Sequence, residues 1–180
     1  AEALLRWQTR YDGMKLPNEF IPSAEQTGLI VDIGSWVLET ACAQLAEWRR
    51  LGLPQVRLAV NVSAQQLIDD EFAERVERLL AQNRLPPSVL ELELTETALV
   101  DAQVGAALKD LAELGVSLAI DDFGTGFSSL NYLRRHPIHT VKLDASFLEE
   151  VPADASAAAV AESVLTMAHS LGKSVVAEGV

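Results

Sequence analysis

Residues 117–123 read Ser-Leu-Ala-Ile-Asp-Asp-Phe, a short apolar run that ends in two acids. Its apolar residues do not alternate with polar ones, which predicts a strand buried on both faces, as in a parallel sheet or a barrel covered by helices. Similar runs recur along the chain, separated by longer segments with helical spacing of apolar residues. We predict strands at 2–7, 56–62, 90–94, 117–121, 140–143 and 174–178, and helices at 33–50, 69–82, 101–114 and 155–171.

The βα pattern leaves two α/β architectures, an open dinucleotide-binding sheet and a (β/α)8 barrel. No strand is followed by the Gly-x-Gly-x-x-Gly turn of the open sheet, so the barrel is favoured. Six predicted strands fall short of eight, and we therefore expect strands to be missing at the chain ends. With 180 residues, 49% of them hydrophobic, the chain can build one core, in which we expect Trp36 and Trp48.

The formal net charge of -12 argues against binding to nucleic acids or anionic lipids, which requires clusters of Lys and Arg. No apolar run approaches the roughly 20 residues of a membrane span. The single cysteine, Cys42, excludes an internal disulfide, and a cytoplasmic location is the default expectation. A carboxylate site that holds metal ions can still bind phosphate, because the charge of the ion then dominates.

Polar side chains stand late in the predicted apolar strands. Burying them singly is unfavourable by several kcal/mol, so a shared cation is the simplest way to compensate them. In barrels, this end of the strands forms the active site. The residues are Glu2, Asn61, Glu93, Asp121 with Asp122, Lys142 and Glu178.

The candidate ligands offer oxygen atoms only, which favours Mg²⁺ or Mn²⁺ over zinc. If the strand continues regularly, Asp121 and Asp122 point in opposite directions, so that one faces the barrel axis and the other a second ion at the rim. A pair of such ions can neutralise the charge of a phosphodiester during hydrolysis. The residues alone therefore predict a divalent-metal phosphodiesterase site.

Several neighbours of these acids have two interpretations. Lys142 either forms a salt bridge that stabilises the cluster or holds the attacking water or phosphoryl oxygens. Glu178 is either a general base or a further carboxylate of the metal site. Residues 123–130, Phe-Gly-Thr-Gly-Phe-Ser-Ser-Leu, predict a mobile rim segment. Glu96 either anchors that segment or is an acid that favours a helix N-terminus.

Six motifs in order resemble the EAL domain family: 2–7 (EALLRW), 61–63 (NVS), 93–96 (ELTE), 121–126 (DDFGTG), 142–144 (KLD) and 177–180 (AEGV). The resemblance spans the whole chain. It implies a modified TIM (β/α)8 barrel that hydrolyses cyclic di-GMP to linear pGpG with Mg²⁺ or Mn²⁺, with two ions expected. Phe127 stands where Tyr is commoner in the family, and Leu143 where Ile is usual.

The resemblance also assigns roles to residues. It implies metal ligation by Glu2, Asn61, Glu93, Asp121 and Asp122. It implies a water or phosphate contact from Lys142, a base or water-positioning role for Glu178, and a substrate phosphate contact from Arg6. Coupling of the site to a dimer through the rim segment is implied for Glu96, Phe123, Gly124, Thr125, Gly126 and Asp144.

The family pattern begins before Glu2 and continues beyond residue 180. We therefore predict that residues 1–180 are a single truncated EAL domain, lacking the first strand and the closing strand and helix, which folds poorly and is inactive alone. Two other functions stay open: a cyclic di-GMP sensor without catalysis, and a regulatory dimerisation domain acting through residues 121–130. The expected partners are cyclic di-GMP, a second copy of the chain, and fused sensory or GGDEF-type domains. A cytoplasmic domain of this kind is also compatible with a parent protein that is anchored to a membrane.

Overall fold

Parallel strands form the central sheet of the computed structural model, which describes residues 1–123, 130–148, 151 and 154–178. This part of the chain has an α/β fold whose six-stranded parallel sheet curls into a half-barrel, confirming the predicted class. In sheet order the strands are β1 (Glu2–Ala3), β4 (Leu58–Asn61), β5 (Leu90–Thr95), β6 (Ser117–Phe123), β7 (Thr140–Leu143) and β8 (Ser174–Ala177). A separate antiparallel hairpin pairs β2 (Trp7–Gln8) with β3 (Met14–Lys15).

Helices connect successive strands of the sheet. Among the described residues they are α1 (Pro17–Thr27), α2 (Ile30–Arg50), α3 (Ala64–Leu67), α4 (Phe72–Gln82), α5 (Val104–Leu114), α6 (Leu130–Arg135), α7 (Ala145–Leu148) and α8 (Ala155–Ser170). Two 3-10 segments, Pro87–Val89 and Glu96–Val100, flank β5. The predicted end of α5 is confirmed at Gly115, whose φ of 96° lies in the left-handed region that glycine enters without strain.

The core lies between the sheet and the helices on its outer face. Leu118 and Ile120 of β6 are fully buried, as are Leu108 and Leu111 of α5. The predicted apolar run at 117–120 is therefore a central strand, covered on both faces. Within the described residues, no helix combines the length and apolar character that crossing a membrane requires.

The N-terminal region differs from the sequence prediction. The strand predicted at 2–7 ends at Ala3, and the segment before α2 forms the hairpin and α1. The start of α1 is fixed by Pro17 at its first position and by Glu19, whose carboxylate accepts the Leu16 backbone N–H at 2.7 Å. Strands of two residues are too short for a periodic pattern, and Pro22 interrupts that of α1.

The prediction for the two tryptophans of α2 is half right. Trp48 is partly buried and packs against the core, whereas 57% of Trp36 is exposed. The buried face of α2 carries Leu38, Cys42 and Leu45. Trp36 lies outside that buried face, so its position on the helix does not bring it to the sheet.

Replacing Leu118 by Ala should lower the free energy of unfolding by about 2–5 kcal/mol, since it leaves a cavity in a fully buried strand. Leu53→Ala is the matched control, because 49% of Leu53 is exposed and its loss should change stability by less than about 1 kcal/mol. Urea denaturation measures both. Equal effects of the two variants would contradict this assignment of the core.

Candidate active site

The register of the sheet places the strand-end residues on one face. Asn61 of β4 pairs with Glu93 of β5, and Glu93 pairs with Ala119 of β6. Paired residues of neighbouring strands point to the same side, as do residues two apart along one strand. Asp121, two residues beyond Ala119, is therefore on the same side as Asn61 and Glu93.

The same reasoning extends the set to both edges of the sheet. Glu2 of β1 pairs with Ala59, two residues before Asn61. Lys142 of β7 pairs with Val176 of β8, two residues before Glu178. The polar strand-end residues predicted from the sequence thus share one face at the carboxyl end of the sheet.

The ammonium group of Lys142 lies at the centre of this cluster. Its Nζ is 2.8 Å from Glu93 Oε1, 3.2 Å from Asp121 Oδ1 and 2.8 Å from Glu178 Oε1. The salt-bridge interpretation of Lys142 is therefore observed. Burial lowers the pKa of Lys142, but the hydrogen bonds that its ammonium donates to Glu178 and Glu93 and the charge of Asp121 outweigh this effect, so that the pKa is raised and the group stays charged.

Glu93 is the most deeply buried acid of the cluster, with 2% of its surface exposed. Burial raises the pKa of its carboxyl to about 7, against the opposing effect of Lys142, and the charges of Glu2 and Asp121 raise it further. Its second oxygen, Oε2, is buried and has no hydrogen-bond partner in the described part of the chain. A carboxylate in this state gains from a further cation.

Glu2 and Asn61 form a second contact beside this cluster. The Asn61 Nδ2 donates a hydrogen bond of 3.0 Å to Glu2 Oε1. The bond uses the nitrogen of the carboxamide, whereas its oxygen is the atom that ligates cations. Both residues are exposed, so they border the solvent side of the site.

The two acids of β6 do not alternate as a regular strand would. Ile120 pairs with Val141 and Phe123 with Leu143, so Asp121 and Asp122 together lie opposite Lys142 in a β-bulge. Asp122 adopts a positive φ of 54°. The regular alternation assumed from the sequence is therefore wrong at this point.

The bulge keeps the two carboxylates of β6 close together. Asp121 Oδ1 accepts the backbone N–H of Asp122 at 3.1 Å. Loss of hydration raises the pKa of the Asp122 carboxyl, and the nearby charges of Asp121 and Asp144 raise it further. Two neighbouring negative charges favour a bound cation.

A cavity of about 560 Å³ opens beside the acids. Asn61, Glu93 and Asp122 line its polar side, and α1 contributes an apolar wall that includes Pro17 and Ile21. Its volume lies within the range of small-molecule sites, about 300–1,000 Å³. Sequence reasoning missed this wall, although Pro17 and Glu19 carry the start signal of α1.

The other predicted residues lie around this site. Arg6 is exposed, donates to the Leu5 carbonyl at 2.8 Å and lines a different cavity, of about 890 Å³, so it is not brought to the acids. Phe123 is a buried core residue. Asp144 follows β7 and is partly buried. The predicted rim residues Gly124, Thr125 and Gly126 lie outside the described residues.

Glu96 lies in the 3-10 segment after β5. Only 6% of its surface is exposed, and within the described ranges neither carboxylate oxygen has a hydrogen-bond partner. A buried carboxylate without partners is unfavourable, so its position calls for donors from another segment.

The donor set fits Mg²⁺ or Mn²⁺. In the part of the chain that the structure describes, no three His, Cys, Asp or Glu side chains form a preformed metal cluster. Glu93, Asp121 and Glu178 instead surround Lys142, while Glu93, Asn61 and Asp122 line the cavity. Carboxylate and amide oxygens at this position suit a hard cation.

Comparison with known proteins places this geometry in a family. The family model described as the EAL domain matches residues 1–180. The chain belongs to the EAL domain family. The predicted family membership is thus confirmed over the full length of the chain.

Named relatives of this EAL domain are signalling enzymes. The chain is 45% identical to the cyclic di-GMP phosphodiesterase PA2567 of Pseudomonas aeruginosa, over 99% of this chain and 31% of that protein. It is 43% identical to the bifunctional diguanylate cyclase/cyclic di-GMP phosphodiesterase MucR of the same organism, over 99% of this chain and 26% of that protein. The chain spans less than a third of the length of these curated relatives.

Solved structures of EAL domains have the same fold. The MucR phosphodiesterase in complex with c-di-GMP matches with a TM-score of 0.92 and 41% identity, over 99% of this chain and 73% of that one. The EAL enzyme Bd1971, bound to cAMP and cyclic di-GMP, also matches with a TM-score of 0.92, at 34% identity over 99% of this chain and 50% of that one.

Replacing Lys142 by Met should lower the free energy of unfolding by about 3–5 kcal/mol, because buried Glu93 loses its cation. Lys109→Met is the matched control: Lys109 forms an exposed pair with Glu113, worth less than about 1 kcal/mol. Urea denaturation without divalent metal measures both. A Lys142 variant as stable as the Lys109 variant would contradict the central role of this ammonium group.

The bulge predicts different effects for two substitutions of Asp122. Asn tolerates a positive φ, whereas Ala in that conformation is less stable by about 1–2 kcal/mol. Asp122→Ala should therefore be less stable than Asp122→Asn, because both variants remove the charge and only Asn suits the backbone conformation. Thermal unfolding compares the two, and equal stabilities would argue against the left-handed conformation.

Proposed function

We propose that this EAL domain hydrolyses cyclic di-GMP to linear pGpG in a reaction that requires Mg²⁺ or Mn²⁺. The observation that carries the proposal is the set of oxygen ligands at one end of the sheet, beside a cavity that Asn61, Glu93 and Asp122 line, with one buried oxygen of Glu93 lacking a hydrogen-bond partner among the described residues. Relatives named cyclic di-GMP phosphodiesterases support the substrate. The solved complexes with cyclic di-GMP support binding at this domain.

The residues that would hold the metal are those that face the cavity and its border. When bound, Mg²⁺ or Mn²⁺ would activate water and neutralise charge on the phosphodiester. Two ions are proposed, because four carboxylates and one carboxamide are available as ligands. The proposed ligands are Glu2, Asn61, Glu93, Asp121 and Asp122.

Lys142 and Glu178 take the proposed catalytic roles. Lys142 would contact the attacking water or a phosphate oxygen, and Glu178 would act as the base. Glu178 is partly exposed and 2.8 Å from Lys142, and its carboxylate is proposed to accept the proton of the attacking water. The water oxygen forms the new bond to phosphorus, and the bond from phosphorus to the 3′ oxygen breaks. The 3′ oxygen takes up a proton from solvent water and Glu178 releases its proton to solvent, which yields the 5′-phosphorylated linear product.

Substrate contact is proposed for Arg6. Its guanidinium is exposed beside Leu5, a residue that lines both cavities, and the proposed contact requires the side chain to turn toward the acidic site. A guanidinium binds phosphate oxygens through paired hydrogen bonds. Arg6 would thereby hold the phosphate that is not being cleaved.

Regulation through the segment after β6 is proposed as well. Phe123 directly precedes this segment in the chain, and Glu96 lacks hydrogen-bond donors within the described part of the chain. The family resemblance also implies a part for Asp144 in this coupling. A homodimer and further sensory or GGDEF-type domains are proposed as partners. The named bifunctional relative MucR, of which the chain covers 26%, supports the additional domains.

Hydrolysis by the full-length protein tests the function directly. Incubation with cyclic di-GMP and Mn²⁺ should yield pGpG on separation by chromatography, and EDTA should abolish the product. Asp121→Asn and Glu2→Gln should each lower kcat/KM by about 100-fold, because each removes a charged ligand. Asp110→Asn is the matched control, an exposed acid on α5 that should leave the rate unchanged.

Two results would contradict the proposal. Binding of cyclic di-GMP without any pGpG would replace the enzyme with a sensor of the nucleotide. Turnover that persists in EDTA and in Asp121→Asn would remove the metal from the mechanism.

A further inference from the structure

Gln66 is a buried amide with no role in the proposed chemistry. Among the described residues it is the one Asn or Gln side chain in the buried class, with 2% of its surface exposed. It lies on the short helix α3, which follows β4 directly and so follows Asn61. Because a buried amide is unfavourable without hydrogen bonds, its partners determine its position.

The first partner of Gln66 is Ser63. The backbone N–H and the hydroxyl of Ser63 donate to Gln66 Oε1 at 3.2 and 3.3 Å, and the backbone N–H of Gln66 donates to Ser63 Oγ at 3.4 Å. This capping box fixes the backbone two residues after Asn61. Val62 between them donates its N–H to the Glu93 carbonyl at 2.8 Å.

The second partner of Gln66 is the surface of α2 at Gly34. A Cβ at this position would overlap the side-chain amide of Gln66, so that the amide lies directly against the helix backbone. Glycine inside a helix is less stable than alanine by about 0.5–1 kcal/mol. Glycine at position 34 therefore leaves room for the Gln66 amide.

Helix α3 is also tied to the wall of the cavity. The neighbouring residue Gln65 donates from Nε2 to the Glu25 carbonyl at the end of α1, at 2.8 Å. Adjacent glutamines thus connect α3 to α1 and to α2. Glu25, Gly34, Ser63 and Gln66 all line the cavity that contains Asn61.

We propose that Gln66 is a positioning residue for Asn61. Its amide, seated against Gly34 and bonded to Ser63, fixes the end of β4 and thereby the direction in which the Asn61 carboxamide meets a cation. Gln66 itself contacts neither metal nor substrate. The inference rests on the proposed divalent-metal site, and it predicts that damage to this support weakens metal binding by about 10–100-fold.

The test is Mn²⁺ binding by the full-length protein, followed by titration calorimetry at a temperature where circular dichroism shows every variant folded. Gln66→Leu removes the acceptor of Ser63, and Gly34→Ala displaces the same amide from the side of α2. Each should weaken Mn²⁺ binding by about 10-fold or more. Both substitutions disturb the same contact, in which the Gln66 amide lies against Gly34 and bonds to Ser63. The double variant should therefore bind Mn²⁺ no more weakly than Gln66→Leu alone.

Gly105→Ala is the matched control, a helical glycine of α5 whose added Cβ would meet the His136 ring at 3.4 Å and not the Gln66 amide. It should leave Mn²⁺ affinity unchanged. If Gln66→Leu loses its fold, Gly34→Ala still decides the question.

Wild-type affinity in both Gly34→Ala and Gln66→Leu, or additive losses in the double variant, would overturn the inference. Hydrolysis of cyclic di-GMP is measured on the same samples. A wild type that binds Mn²⁺ without hydrolysis contradicts the proposed function alone, and weaker Mn²⁺ binding in the variants still supports the role of Gln66. A wild type that does not bind Mn²⁺ overturns both.

Discussion

The contacts of one ammonium group with three carboxylates organise the carboxyl end of the sheet. Lys142 connects β5, β6 and the end of β8 through Glu93, Asp121 and Glu178. Parallel pairing brings these acids together whatever their repulsion, because their strands end at the same edge. In a chain with a net charge of -12, this cation lets Glu93 be buried, although its pKa is still raised to about 7. A divalent metal would compensate the negative charge that Lys142 leaves unneutralised.

The rest of the structure determines which oxygen atoms are available to such a cation. The bulge in β6 holds Asp121 and Asp122 opposite a single residue of β7, so both carboxylates stay at the site. The support of Asn61 comes from outside the acidic cluster, through α3. The apolar wall of the cavity comes from α1, which contributes none of the proposed metal ligands. Chemistry and support thus lie on different elements, as in barrel enzymes, where strands carry the site and loops shape it.

The sequence predicts the parts of this arrangement that depend on local pattern. Central strands such as β6 are continuous apolar runs, and α5 ends at a glycine, so both are visible without a structure. The bulge at Asp121 depends on pairing with β7, and the exposure of Trp36 depends on which face of α2 meets the sheet; neither is a local property. The two-residue strands of the hairpin are below the length at which a period shows. The substrate came from family resemblance, since oxygen ligands alone predict only a metal-dependent phosphodiesterase.

The central claim is that the polar strand ends form a divalent-metal site around Lys142. Anomalous X-ray diffraction from crystals of the protein grown with Mn²⁺ and cyclic di-GMP locates the metal directly. The account predicts anomalous peaks within coordination distance, about 2.0–2.3 Å, of oxygen atoms of Glu93, Asp121 and Asn61. Peaks confined to other surfaces, with Lys142 still filling the space between the acids and nucleotide bound beside it, would contradict it.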